Sequence, residues 1–115
     1  MVFTFIIYWA SWCSDCRKQL PDVEKLYKEY KDKVNFVFVN VVDGERENVK
    51  QAKAYIKESN FTFDYYKSTD NAIDVMKVKK IPTKFIADKN GKIKEVQVEK
   101  YVAYEKLKTT LDKLL

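Results

Sequence analysis

The chain has 115 residues, 22 basic and 17 acidic side chains for a net charge of +5, and 46% hydrophobic residues. That length suits one domain with a single core, so the expected organisation is one domain over residues 1–115. The two signs alternate, as in "VEKLYKEYKDK", which marks solvated helix faces. There is no one-sign stripe with aromatics to suggest nucleic acid, and no apolar run long enough to span a bilayer.

"VFTFIIYW", Val2 to Trp9, is continuously apolar and rich in β-branched and aromatic residues. It reads as a strand covered on both faces, with Tyr8 and Trp9 in the core. The run lacks a basic leader and a small-residue cleavage site, so it does not read as a signal peptide. Next, Leu20, Val23, Leu26 and Tyr30 recur at helical spacing, with Ser14 and Asp15 suited to the first turn. Pro21 cannot donate to the carbonyl of Arg17, so a kink is expected there. "VNFVFVNVV", Val34 to Val42, reads as a second buried strand. "ENVKQAKAYIKES" reads as a helix with Val49, Ala52 and Ile56 on one face, "FTFDYY" as a short strand, and "DNAIDVMKV" as one or two helical turns. "TKFIAD" and "KIKEVQVE" flank Asn90-Gly91, a pair that favours a tight hairpin. Tyr104, Leu107, Leu111 and Leu114 mark a final helix. Strands alternating with helices imply a parallel sheet core with helices on both faces, and the hairpin adds an antiparallel edge.

Both cysteines, Cys13 and Cys16, lie where the first strand hands over to the first helix. A structural zinc site wants four ligands, and the chain has neither a histidine nor a second cysteine pair. Covalent haem needs a histidine after the second cysteine, where Arg17 stands. No metal and no cofactor are therefore expected. Two inert core cysteines remain the plain alternative. Against it, a helix N-terminus favours a thiolate. Cys16, three residues on, shares that helical face and can close onto Cys13. Cys13 is then the exposed attacker and Cys16 the more buried resolving thiol.

"FIIYWASWCSDCRKQLP" resembles the active-site segment of the thioredoxin-like superfamily. "DNAIDVMKVKKIPTKFIADKNGKI" is similar to its later segment, in the TlpA-like branch of thiol–disulfide oxidoreductases. The resemblance implies a thioredoxin-like α/β fold with Cys13 as nucleophile and Cys16 as resolving cysteine. It also implies that Trp12 lines the substrate groove, while Ile81 and a cis Pro82 form the opposite lip. Its implied partners are protein or small thiol and disulfide substrates and a thiol electron donor, its implied setting is extracytoplasmic, and a monomer is expected. Relatives on that branch have an N-terminal strand pair before the first core strand, so the chain is expected to lack that pair or a leader.

The sequence departs from the family pattern in three respects, and Ser14, Asp15 and Gln19 are the candidates for redox tuning. Ser14 and Asp15 separate the cysteines, Ile7 stands where many relatives have a buried aspartate, and Gln19 where some have a glutamate. Asp15 sets a negative charge beside Cys13, which disfavours its thiolate and points to a reductant of protein disulfides. The competing reading is a redox-inactive or weakly active peptide-binding module that uses the Trp12/Pro82 groove. Peroxide reduction is disfavoured, since Ala10-Ser11-Trp12 does not match a peroxidatic loop.

Overall fold

The computed structural model describes residues 3–42, 45–68, 80–98 and 101–115. β1 (Phe3–Trp9) leads into α1 (Ser14–Tyr30), then β2 (Val34–Asn40), α2 (Val49–Ser59) and β3 (Tyr65–Lys67). β4 (Thr83–Ala87), β5 (Ile93–Val98) and α3 (Tyr104–Leu114) complete the described elements. The two helical turns expected in "DNAIDVMKV" lie outside the described residues.

The strand order is β3-β2-β1-β4-β5. β1 is central, parallel to β2 and antiparallel to β4, which accounts for its unbroken apolar run. β3 extends the parallel half beyond β2, and β5 pairs antiparallel with β4. β2 stops two residues short of the expected Val42. β1 ends at Trp9 as the chain turns into α1, and past that point the Val41 N–H reaches the Trp9 carbonyl at 2.8 Å and Asn40 Nδ2 reaches it at 3.4 Å.

Alternation along β1 sends Phe5, Ile7 and Trp9 to one face. There they join Leu20, Val23 and Leu26 of α1, Ala52 and Tyr55 of α2, and Leu107 and Leu111 of α3 in one cluster. Tyr8 and Phe85 form a smaller cluster on the opposite face. Aromatic rings fill much of the larger core: Phe38 stacks on Phe63 at 3.8 Å, and Trp9 meets Tyr55, Phe63 and Tyr65.

One local expectation needs correction. Val49 was expected on the buried face of α2 but is 53% exposed. It is the first helical residue after the Asn48 cap, whose side chain accepts from Gln51 N, and the packed face begins a turn later with Ala52 and Tyr55. The hairpin expected at Asn90-Gly91 forms between β4 and β5, with Gly91 at a φ of 82°. The Asp88 carboxylate accepts from Asn90 N and Lys92 N, both at 2.9 Å, and these bonds fix a three-residue loop. Pro21 sits within α1, which runs unbroken from Ser14 to Tyr30.

Candidate active site

Cys13 is the N-cap of α1, with φ −83° and ψ 116°. Its sulfur accepts from the Cys16 N–H at 3.3 Å, so the thiol does the work usually given to a serine or aspartate cap. It also lies 3.6 Å from the Ile81 carbonyl oxygen, to which the thiol donates. Both cysteines are free. Cys13 is only 6% exposed, more covered than an exposed attacker was expected to be, because its sulfur is turned onto Cys16 N and Ile81. Cys16 lies deeper and is fully buried. Burial is the main reason its thiol is pushed well above the ordinary range, and the hydrogen bond with Cys13 adds to this.

The Ile81–Pro82 peptide is cis. Ile81 is half-buried and Pro82 buried, and both lie beside the cysteines because β4 starts at Thr83 and pairs with β1. Trp12 is 38% exposed, and the Arg46 guanidinium lies 4.0 Å from its ring centroid. Ser14 is exposed and Asp15 half-buried. The fold thus gathers Cys13, Cys16, Ile81 and Pro82. Trp12 lies on the rim and Ser14 faces outward.

Gln19 sits elsewhere. It is fully buried one helical turn beyond Cys16. Its amide nitrogen donates to Val102 O at 2.9 Å, and its oxygen accepts from Val102 N and Lys84 Nζ, both at 2.8 Å. It ties α1 to β4 and to the segment before α3. Lys84 itself is 1% exposed.

A second set of residues, none of them singled out by sequence, holds the turn before Cys13. Glu47 is fully buried and accepts from Ser11 N and Ser11 Oγ at 2.6 Å and from Asn40 Nδ2 at 2.8 Å. Arg17 Nε donates to the Ser11 carbonyl at 2.5 Å, and its guanidinium lies over the Tyr55 ring. Gln51 Nε2 donates to Ser11 Oγ at 2.9 Å. The backbone of Ser11 is therefore fixed at both its N–H and its carbonyl. Lys84 had one visible signal, a charged residue inside the otherwise uncharged strand "TKFIA". Glu47 had none: it opens "ENVKQAKAYIKES", the segment read as a helix, and looks there like any solvated acidic side chain.

A two-cysteine helix start, a cis proline facing it and a sheet of parallel and antiparallel halves define a thioredoxin-type dithiol site. The thioredoxin-like family profile matches residues 3–93, and the chain belongs to that family. Thioredoxin-like protein YneN of Bacillus subtilis is 35% identical over 91 residues, covering 79% of this chain and 53% of that protein. Sporulation thiol-disulfide oxidoreductase A of the same organism is 32% identical over 99 residues, covering 83% and 58%. The crystal structure of StoA from Bacillus subtilis superposes with a TM-score of 0.84 at 29% identity, covering 94% of this chain and 81% of that one. These similarities belong to the TlpA-like branch. The chain spans between half and three-fifths of the length of these two curated relatives.

Proposed function

We propose that this domain catalyses thiol–disulfide exchange and serves as a reductant of protein disulfides. The observation that carries the reading is the Cys13 sulfur, which caps α1 and faces the Ile81 carbonyl with Cys16 buried beneath it. In this reading the Cys13 thiolate attacks one sulfur of a substrate disulfide. That bond breaks, its electron pair leaves on the other substrate sulfur, and a mixed disulfide forms at Cys13. Cys16 loses its proton and attacks Cys13 Sγ. The Cys13–Cys16 disulfide forms, and the substrate sulfur that had been bonded to Cys13 leaves as a thiolate that takes a proton from solvent. Two electrons have passed to the substrate, and an external thiol donor restores the dithiol.

Trp12, Ile81 and Pro82 line the groove for an extended substrate segment in this proposal. Asp15, in the first turn of α1, is the charge that favours reduction over oxidation. The TlpA-like resemblance supports an extracytoplasmic setting, secreted or membrane-tethered. Among the described residues no helix is long and apolar enough to cross a membrane.

The test is insulin reduction in the presence of dithiothreitol, joined to trapping with Cys16→Ser. Wild type should accelerate insulin precipitation, Cys13→Ser should abolish the effect, and Cys16→Ser should remain covalently linked to substrate through Cys13. A folded wild-type protein that binds peptides but leaves insulin oxidised would favour the binding-module reading instead.

A further inference from the structure

Two buried polar side chains, Gln19 and Lys84, lie on the α1 side of the central strands near Cys16. β1 pairs with β4 so that Ile7 faces Lys84 across the ladder. Paired residues in an antiparallel ladder share a face, so Lys84 points with Ile7 toward α1. Its Nζ reaches Gln19 Oε1 at 2.8 Å, and Gln19 follows Cys16 by one helical turn. Lys84, Gln19 and Cys16 are all essentially inaccessible to solvent. An amine has been drawn into the core to within one turn of the deeper sulfur.

We propose that Lys84 is a positioning residue for Cys16: held by Gln19, its ammonium group presents positive charge to the Cys16 sulfur and promotes the ionisation this cysteine needs to attack a mixed disulfide. The inference rests on the exchange reading above and names how that site controls its second step. The balance is simple. The Cys16 thiol gives its proton to solvent, the resulting thiolate supplies the electron pair for the new bond to Cys13 Sγ, and the substrate sulfur leaves with the pair of the broken bond. Lys84 neither gains nor loses a proton. It stabilises the anion through space, and low local polarity strengthens that effect.

The surroundings of Cys16 fit this role. The sulfur is faced by Cys13 within α1, by Tyr55 from α2 and by Lys84 from β4. Burial and the contact with Cys13 oppose ionisation, whereas a hydrogen bond with the Ala10 backbone and, to a smaller extent, the charge on Lys84 favour it. Tyr55 carries the Arg17 guanidinium 4.6 Å from its ring centroid, on the side of α2. Gln19 accepts from the amine through its side-chain oxygen at 2.8 Å, which ties the lysine to the helix that carries Cys16.

The experiment is a stopped-flow reaction of the reduced full chain with Ellman's reagent. The first thionitrobenzoate is released as Cys13 attacks, and the second as Cys16 resolves. In Lys84→Met and Lys84→Gln the first phase should keep its wild-type rate. The second should be displaced upward by roughly one to two pH units and run about 3- to 12-fold slower near neutrality. Lys84→Arg should restore most of the lost rate. Circular dichroism establishes that each variant is folded, and if the arginine variant is not, agreement between the methionine and glutamine variants decides. A second phase unchanged in both neutral variants overturns the proposal, as does a folded arginine variant that behaves like methionine. Iodoacetamide labelling of Cys16 in a Cys13→Ser background separates this inference from the exchange reading. Lys84→Met should slow labelling by the same factor even if the protein reduces no disulfide, and unchanged labelling would count against Lys84 alone.

Discussion

The two flanks of the cysteine pair both hold a buried charged side chain and use it differently. On one flank the Glu47 carboxylate is spent on scaffold, accepting from the Ser11 backbone, the Ser11 hydroxyl and the Asn40 amide. On the other, the Lys84 amine donates to the side-chain oxygen of Gln19, a residue one helical turn from Cys16. The acid fixes where Cys13 sits, and the base sits where it can act on Cys16. A buried charge is therefore not by itself a sign of catalysis: what matters is whether its partners are backbone donors or lie beside a reactive atom.

The largest expected effect comes from the scaffold flank. Glu47→Ala leaves the Ser11 N–H, the Ser11 hydroxyl and the Asn40 amide without this acceptor in a fully buried site. The cost should be about 3 kcal/mol, the range for stranding buried donors that had a charged acceptor. Glu47→Gln keeps one acceptor oxygen and should cost roughly half as much. Urea denaturation of the reduced protein measures both. A loss below about 1 kcal/mol for the alanine variant would break the comparison, since the carboxylate would then not be a structural anchor.

The next effect belongs to the sulfur flank and depends on pH. Burial, with help from Cys13, holds the Cys16 thiol above its ordinary value. The folded protein thus keeps a proton that the unfolded chain releases near pH 8.5. The associated stability is whole below that pH and declines as pH rises toward the folded value, by about 1.4 kcal/mol per pH unit. Tyr8 and Tyr55, also raised mainly by burial, add the same sign of effect at higher pH. Denaturation of the reduced protein between pH 8.5 and 10 should therefore show a falling stability that Cys16→Ala flattens. Equal slopes in the two proteins would mean that the folded state ionises Cys16 as readily as the unfolded chain does.

Sequence exposed these two flanks unequally. The fold was readable because β1 is apolar throughout and central in the sheet, and because α1 and α3 each bury one clean stripe. The cysteine pair was readable because its chemistry is set by local spacing at a strand-to-helix junction. Gln19 was visible only as a departure from a pattern; that its amide bridges α1, β4 and Val102 depends on residues 65 and 83 positions away. Glu47 lies 36 positions from Ser11, at the start of a charged segment read as a helix. Nothing in local periodicity distinguishes a carboxylate turned inward from one turned out. Val49 failed for the complementary reason: it has the right spacing, but the helix end it occupies projects beyond the core.

The smallest effect sharpens the scaffold side of the comparison. Arg46 precedes Glu47 and lays its guanidinium 4.0 Å from the centroid of Trp12, at the rim of the site. A cation over a partly exposed indole is worth about 0.5–1 kcal/mol. Loss of this contact in Arg46→Gln should therefore cost about that much stability, while uncovering one face of Trp12 and shifting its emission to the red. A Trp9→Phe background isolates the signal, because Trp9 is fully buried among aromatic rings and would otherwise dominate it. If Glu47 anchors this segment, the two residues are coupled. In the Glu47→Ala protein Trp12 should already be uncovered, and adding Arg46→Gln should change neither its emission nor the stability further. Strictly additive effects would show that Arg46 finds Trp12 without the buried acid, and that the carboxylate steadies Ser11 but not the rim where substrate is proposed to bind.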